Sequence, residues 1–275
     1  MRRSRSSWGI WSKSPGWLKG THEKMIKDFE CLKVDEIKVE KAICPVAEEV
    51  PLSIFINGRH FATAMISPQM RKEFVAGHLY SERIVSAVEE IESIEVEGDV
   101  ARAIVANPIR AIVPRRPIVS GCGGIASFLD ESKLPRIKSD LTINKKQAQE
   151  AMKAISLSQT HIATGGVHSV GLFDQSGPVS IIEDIGRHNA LDKAIGSLII
   201  KGERFDLGRA FAACTGRVSS DMALKCSVAG IPIVVSRGAT TGLAITIAQR
   251  TGLGIIGFLR GKRLSVYANP ERFVI

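Results

Sequence analysis

The sequence predicts an α/β protein: a three-layer mixed-sheet body preceded by a smaller N-terminal α+β lobe. Segments typical of strands and helices alternate in the last third of the chain, which indicates parallel strands joined by helical crossovers. Hairpin signals are found before that part. The composition, 44% hydrophobic but only 5% aromatic residues, predicts a large core of aliphatic side chains.

Three segments are predicted along the chain. Residues 1–27 are expected to be a disordered basic extension, 28–110 the α+β lobe, and 111–275 the α/β domain. The extension holds seven Lys or Arg against one Glu, so it accounts for most of the formal net charge of +9. Because the rest is nearly balanced, we expect no nucleic-acid partner. No run of about 18 apolar residues occurs, so we expect no membrane partner either.

The five cysteines are odd in number and widely spaced, which predicts free thiols and no disulfide framework. No C-x-x-C motif occurs, so a structural zinc site is not expected. No catalytic metal is predicted for the protein either. The N-terminus lacks the apolar segment of a secretory signal, and a cytoplasmic location is therefore expected. Cys214 and Cys226 lie on apolar faces and are predicted to be core residues.

Local signals predict the elements of the lobe in order. Apolar runs on both sides of Asn57-Gly58 predict a hairpin. Ser67 and Pro68 are predicted to begin a helix, as its N-cap and first residue. A second pair of strands is expected around Glu97-Gly98-Asp99. The proline-punctuated segment 107–119 is predicted to be an edge strand or a connector.

The body begins with a predicted helix from Thr142 to about Leu157. A hairpin follows with strands at 167–173 and 178–184, and then a helix over 187–202 that Gly202 ends. Two strand–helix units and a final strand pair complete the chain. The pattern "GLGIIG" (252–257) matches a dinucleotide-binding fingerprint, but it precedes a strand instead of opening a helix, so we discount it.

The segment "EDIGRHNALDKAIG" (183–196) has the densest polar pattern, and it lies where a strand ends and a helix begins. Ligands of open α/β sheets bind at the carboxyl ends of strands, beside helix N-termini. Arg187 and His188 are therefore candidate binding residues. The alternative is a charged first turn capped by Asp184.

Other loops at strand ends have similar chemistry. Arg217 and Thr240 lie in small polar loops before helices, and Arg260, Lys262 and Arg263 surround the turn at Gly261. Each loop alone is compatible with a solvated turn, but together they favour a polyanionic ligand. A glycine pair at 165–166, flanked by His161 and His168, offers backbone donors and a possible proton carrier.

Cys122 lies in "VSGCGG" (119–124), where the neighbouring glycines supply nothing to bury a thiol against. We interpret it as an exposed reactive cysteine, although a small buried thiol is the common alternative. Its chemistry is either acyl transfer with a histidine base or carriage of sulfur as a persulfide.

Several motifs in order across about residues 35–272 resemble those of the formate dehydrogenase accessory sulfurtransferases, the FdhD family. The matching stretches are "EEVPLSIFINGRHFATAMISP", "EDIGRHNALDKAIG", "TGRVSSDMALKC", "IPIVVSRGATTGLA" and "GFLRGKRLSVY". The resemblance implies a body similar to the cytidine deaminase fold and a homodimer. This sequence lacks both H-x-E and P-C-x-x-C, so deaminase chemistry is not expected.

The resemblance also implies a function. Such proteins take sulfur from a cysteine desulfurase as a persulfide and pass it to a molybdenum or tungsten bis-guanine-dinucleotide cofactor, their bound substrate, before its insertion into formate dehydrogenase. By position, Cys122 is the persulfide carrier. The segment that contacts the cofactor corresponds to Phe258, Leu259, Arg260, Gly261, Lys262 and Arg263. Residues 111–275 would thus bind the cofactor and transfer the sulfur, with the arginines as phosphate partners.

One departure from the family pattern leaves alternatives open. The family loop usually reads C-G-x-C-G, whereas here Ile125 and Ala126 follow Cys122-Gly-Gly, so one cysteine is missing. A non-catalytic cofactor-binding chaperone for formate dehydrogenase is therefore the second hypothesis. A Cys–His hydrolase acting on a nucleotide-like substrate is the third, and it needs a histidine beside Cys122.

Overall fold

A computed structural model describes residues 25–108, 134–202 and 206–274. Cys122 and most of the predicted connector 107–119 lie outside the described residues.

The N-terminal part consists of a two-stranded hairpin, a four-stranded sheet and one helix. Its elements are β1 (Ile26–Val34), β2 (Val39–Ala47), β3 (Val50–Ile56), β4 (Arg59–Ile66), α1 (Arg71–Ser81), a 3-10 turn (Val88–Glu90), β5 (Ile91–Glu97) and β6 (Val100–Val105). The sheet has the order β4-β3-β6-β5, in which only β3 and β6 are parallel. Asn57 and Gly58 both have positive φ and form the predicted tight turn between β3 and β4.

A six-stranded mixed sheet forms the body. Its strands and helices are β7 (Ile143–Asn144), α2 (Lys145–Ile155), α3 (Gln159–Thr164), β8 (His168–Asp174), β9 (Gly177–Asp184), α4 (Arg187–Ile200), β10 (Phe211–Cys214), α5 (Ser220–Ala229), β11 (Ile233–Ser236), α6 (Gly242–Thr251), β12 (Gly254–Arg260), β13 (Arg263–Ala268) and β14 (Phe273–Val274). Two 3-10 turns lie at Leu207–Arg209 and Pro270–Arg272.

The sheet has the strand order β13-β12-β11-β10-β8-β9, and β7 pairs separately with β14. The three central strands β10, β11 and β12 are parallel, and the flanking strands are antiparallel. The apolar side chains of α4, α5 and α6 cover one face of the sheet, while those of α2 cover the other. The predicted α/β class and the three layers of the body are therefore present. The pattern "GLGIIG" runs from Gly252, the C-cap of α6, into β12, which begins at Gly254, so it does not open a helix.

The lobe and the body meet where α1 crosses α4. A Cβ added at Gly77 would lie 1.8 Å from the carbonyl oxygen of Asp192, and one added at Gly196 would lie 1.8 Å from that of Glu73. The two backbones therefore touch, with no room for any side chain between them. Tyr80 and Ile199 pack against the hydrophobic clusters on both sides of this crossing.

A buried polar network joins α1, α4 and α5 beside this crossing. The Asp192 carboxylate accepts from Lys225 Nζ at 2.9 Å, from Ser81 Oγ at 2.7 Å and from His78 Nδ1 at 3.0 Å. Lys225 also pairs with Glu82 at 2.7 Å. Burial opposes the ionisation of Asp192, but Lys225 and His78 outweigh it and lower the pKa of that carboxyl to about 2.

The predicted start of α1 at Ser67-Pro68 was wrong. The helix begins at Arg71, after Met70 in the left-handed region with φ 58°. Ser67 is fully buried and its polar groups serve a tertiary contact: its N–H donates to Asp184 Oδ2, and its hydroxyl accepts from the Ile185 N–H, both at 3.0 Å. Ser67, which the sequence predicts to be a helix cap, therefore links the lobe to the body instead.

The expectation that all cysteines are free was also wrong, because Cys31 and Cys44 form a disulfide across the β1–β2 hairpin. The register of the hairpin brings the two cysteines to one face, although 13 positions separate them in sequence. The first strand begins at Ile26, within the segment predicted to be a disordered extension. Cys214 and Cys226 are free and fully buried, as predicted.

No helix within the described residues is long and apolar enough to span a membrane.

Adding a methyl group at the α1–α4 crossing should destabilise the protein. We expect Gly77→Ala and Gly196→Ala each to lower the free energy of unfolding by about 1–3 kcal/mol or more, because the new Cβ would overlap a backbone carbonyl. Gly242→Ala at the start of α6 is the control, since a Cβ there meets nothing within 4 Å. Urea unfolding of the three variants tests this, and equal stability of all three would contradict the proposed close contact.

Candidate functional site

Two loops meet at the carboxyl edge of the main sheet. The loop after β10 and the loop after β11 are joined by a bridge between Val218 and Thr240. The Val218 N–H donates to the Ala239 carbonyl at 2.9 Å, and the Thr240 hydroxyl donates to the Val218 carbonyl at 3.3 Å. Parallel neighbours end at the same edge, so the sequence folds both loops, and the starts of α5 and α6, into one place.

The first turn of α4 lies beside these loops. Arg187 Nη2 donates to the hydroxyl oxygen of Ser219 at 3.3 Å, and His188 Nε2 lies 2.9 Å from the same oxygen. Ser219 is the N-cap of α5, directly after the β10 loop. The side chains of the two predicted residues Arg187 and His188 therefore both contact this serine.

His168 lies at the start of β8, a strand that runs antiparallel to β10. Because β8 is antiparallel to β10, its first residue lies near the end of β10. The His168 ring is 3.4 Å from Thr215 Oγ1. A Cβ at Gly216 would lie 2.7 Å from Arg187 Cδ and 3.2 Å from His168 Cε1, so glycine is needed for these side chains to converge. His161 lies on α3 instead, with its ring hydrogen-bonded to the Val167 carbonyl.

The β12–β13 hairpin supplies the rest of the site. Phe258 is exposed, has a φ of 51° and is anchored by its N–H to the Gly238 carbonyl at 2.9 Å. Arg260 Nε donates to the Arg237 carbonyl at 3.3 Å, and the Arg260 guanidinium lies 5.8 Å from the centre of the Phe258 ring. Lys262 and Arg263 are exposed around the turn at Gly261.

Not every predicted binding residue presents its side chain at this surface. Leu259 is only 2% exposed and packs in the core with α2, because alternate residues of a strand face opposite sides. Arg237, which sequence reasoning did not select, is exposed in the loop after β11. Its position directly after an apolar strand is the signal that could have identified it.

The site is strongly cationic. It contains six Arg and Lys residues, and within the described parts of the chain none of them has a carboxylate within 4 Å: Arg187, Arg217, Arg237, Arg260, Lys262 and Arg263. Burial, and then the charge of Arg217, lowers the pKa of Arg187. The Arg187 Nε is buried and has no hydrogen-bond partner among the described residues. Such a cluster has the capacity to bind an anion with several phosphates.

The two histidines of the site are neutral at pH 7. Burial, and then the charges of Arg187 and Lys225, lowers the pKa of His188 to about 4. Burial and Arg187 also lower the pKa of His168. They can therefore accept or donate hydrogen bonds without adding to the positive charge.

The motif "EDIGRHNALDKAIG" is thus divided between two roles. Arg187 and His188 face the site, whereas Asp184, Asn189 and Lys193 hold the start of α4. The Asp184 carboxylate accepts from the Gly186 N–H and from Asn189 Nδ2, both at 2.9 Å, and pairs with Lys193 at 2.6 Å. The alternative interpretation of Asp184 as the helix cap is wrong, because the N-cap of α4 is Gly186 and no side chain caps this helix; Asp184 instead holds the backbone just before α4.

Within the described residues, no group of three His, Cys, Asp or Glu side chains is arranged to hold a metal ion. Cys214 lies beneath the site, where its thiol donates to the Gly216 carbonyl at 3.3 Å. Burial raises the pKa of this thiol to about 11.

Comparisons with known proteins agree on one family. The model of the FdhD/NarQ family matches residues 47–274. The chain is 34% identical to a sulfur carrier protein FdhD from Saccharolobus solfataricus, over 90% of this chain and 98% of that protein. It is 38% identical to a sulfur carrier protein FdhD from Xanthomonas axonopodis pv. citri, over 82% of this chain and 85% of that protein.

A solved structure has the same fold. It is the crystal structure of a protein described as a candidate formate dehydrogenase accessory protein, from Desulfotalea psychrophila. The superposition has a TM-score of 0.75 with 25% sequence identity, and it covers 91% of this chain and all of that one.

The depressed pKa of His188 predicts acid sensitivity. The unfolded chain binds a proton at this ring near pH 6.5 and the folded chain only near pH 4, so stability falls as the pH drops between these values. We expect His188 to account for a loss of about 2 kcal/mol between pH 7.5 and pH 4.5. Urea unfolding at both pH values should show a smaller loss for His188→Gln than for the wild type. His60→Gln, at an exposed position, should behave like the wild type.

Proposed function

Because the chain belongs to the FdhD/NarQ family, we propose that it is a sulfur carrier in the maturation of formate dehydrogenase. The relatives named above are sulfur carrier proteins, and they align over most of both chains. The single observation that supports the proposal most is the cationic edge of the main sheet. It joins Arg187, Arg217 and Arg260, which three separate segments supply, at a place where open α/β sheets bind ligands.

In this proposal the protein acts as a sulfurtransferase through Cys122. A cysteine desulfurase presents a persulfide, the Cys122 thiolate attacks its outer sulfur, and the donor cysteine leaves as a thiolate. The exchange moves one sulfur atom and needs no external oxidant or reductant. One thiol is sufficient for this step, so the departure from the family's two-cysteine loop is compatible with it.

The acceptor in this proposal is a molybdenum or tungsten bis-guanine-dinucleotide cofactor, bound as substrate. Each half of it carries a pyrophosphate, which suits guanidinium groups that lack carboxylate partners among the described residues. The Arg187 guanidinium, whose Nε has no hydrogen-bond partner among the described residues, suits a phosphate, and the exposed Phe258 ring suits a base. We further propose that the protein works in the cytoplasm, as a homodimer, and hands the sulfurated cofactor to formate dehydrogenase.

Sulfur loading should depend on Cys122. We expect ³⁵S from labelled cysteine and a cysteine desulfurase to appear on the wild-type protein, in a form that dithiothreitol releases. Cys122→Ser should stay unlabelled. Cys226→Ala is the matched control and should be labelled, because Cys226 is free but fully buried and its burial raises the pKa of its thiol.

The labelling experiment also distinguishes the sulfur-carrier hypothesis from the alternative, a non-catalytic cofactor-binding chaperone. If the wild type takes up no label, or if Cys122→Ser takes up as much, the carrier mechanism is wrong. A Cys122→Ala protein that fully restores formate dehydrogenase activity in a deletion strain would then favour the chaperone.

Nucleotide affinity should depend on the arginines of the site. GDP contains the base and pyrophosphate of one half of the proposed substrate and is a suitable probe for calorimetry at low salt. We expect Arg187→Gln and Arg217→Gln each to raise the Kd by about tenfold or more, since each removes a charged hydrogen-bond donor. Arg102→Gln, an exposed change on β6 of the lobe, should bind GDP like the wild type. Equal weakening by all three would indicate nonspecific charge attraction and contradict the proposed site.

A further inference from the structure

Ser219 occupies a central position in the candidate site. It is only 9% exposed, and its hydroxyl oxygen meets three groups from two helices. Arg187 Nη2 lies at 3.3 Å, His188 Nε2 at 2.9 Å, and the Met222 N–H, which the serine caps, at 3.5 Å. Ser219 therefore caps α5 and also connects α5 to the first turn of α4.

The hydrogen-bonding capacity of a hydroxyl determines how these contacts are shared. A serine hydroxyl can accept two hydrogen bonds and donate one. Arg187 and the Met222 N–H can only donate, so they use both acceptor positions. The remaining proton must point to His188 Nε2, which then acts as an acceptor. His188 is accordingly neutral, with its own proton on Nδ1.

Arg187 depends on this serine for its direction. In the described part of the chain, Ser219 is the one hydrogen-bond partner of the Arg187 guanidinium. The Nε of Arg187 is buried there without a partner. The like charge of Arg217 opposes the charge of Arg187. Repulsion would therefore turn Arg187 away from Arg217 if nothing held it. The Ser219 contact keeps both cations at the same edge of the sheet.

From this geometry we infer that Ser219 is a positioning residue, which aims Arg187 at the anionic substrate and fixes the tautomer of His188. The inference rests on the proposed function, because it takes the ligand of the site to be a guanine nucleotide or its pyrophosphate. It adds a role for a side chain that touches the binding residues and not the substrate.

A matched pair of cap variants tests this role. Ser158 is the N-cap of α3, is 7% exposed and accepts from the His161 N–H at 2.9 Å, so it equals Ser219 in residue type, burial and position. Ser219→Ala and Ser158→Ala should both lower the thermal midpoint, because each removes a helix cap. Only Ser219→Ala should weaken GDP binding, by about tenfold in calorimetry. Ser219→Thr, which keeps the hydroxyl and the cap, should restore the affinity to within about threefold.

A second measurement follows the tautomer directly. In ¹⁵N-labelled protein, the ring nitrogens of His188 should show a protonated Nδ1 in the wild type and in Ser219→Thr. Ser219→Ala should lose this preference, whereas Ser158→Ala should keep it. If Ser219 had a purely structural role, Ser219→Ala would alter stability but leave the ¹⁵N signals of the His188 ring unchanged.

The possible failures are distinct. If the wild type does not bind GDP, the proposed substrate site is wrong and this inference falls with it. If the wild type binds but Ser219→Ala binds equally well, only the inference about Ser219 is overturned. The same holds if Ser158→Ala weakens binding as much, or if Ser219→Thr is as weak as Ser219→Ala.

Discussion

The ion pair between Asp184 and Lys193 is the interaction on which the geometry of the candidate site depends. Both side chains are fully buried where β9 leads into α4, and they lie 2.6 Å apart. Lys193 Nζ also donates to the Ser67 carbonyl at 2.8 Å, so the pair holds the lobe as well as the helix. Loss of one partner from such a pair typically costs about 3–5 kcal/mol, because the other charge is left buried alone. The direction in which α4 leaves the sheet, and hence the place of Arg187, follows from this contact.

The same helix, α4, satisfies a second constraint in its C-terminal half. Gly196 must lie against α1 with no side chain between the backbones, and the Asp192–Lys225 pair beside it fixes the rotation of α4 about its axis. Buried ion pairs contribute little net stability compared with apolar packing, but they discriminate strongly against arrangements that leave them unpaired. A helix that touched α1 through apolar side chains alone could slide or rotate. Here one orientation alone satisfies both the glycines and the charges, and it sends the first turn of α4 to the sheet edge.

Local signals were sufficient to predict much of the fold, and tertiary contacts explain the failures. The turn at Asn57-Gly58 and the hairpin of β8 and β9 depend on residues adjacent in sequence, so they were predictable. Ser67 has the local signature of a cap, but Asp184, 117 residues away, uses its N–H. The disulfide depends on the register of β1 against β2, which cysteine spacing does not reveal. Of the site, the arginines next to helix starts could be predicted. Arg237 was missed although it directly follows an apolar strand, and the buried direction of Leu259 needed the strand register.

The cationic edge has a consequence for the protein without its substrate. Like charges at Arg187 and Arg217 repel, and burial opposes the charge of Arg187 further. Folding tolerates this arrangement because His168 and His188 stay neutral and because the buried pairs beneath hold the loops in place. Unfavourable local electrostatics, such as this repulsion between two arginines, are typical of ligand-binding sites in proteins whose fold is otherwise consistent. An anion bound there as proposed would relieve the repulsion, and because it would bind only the folded protein, it would stabilise the fold by RT ln(1 + [L]/Kd).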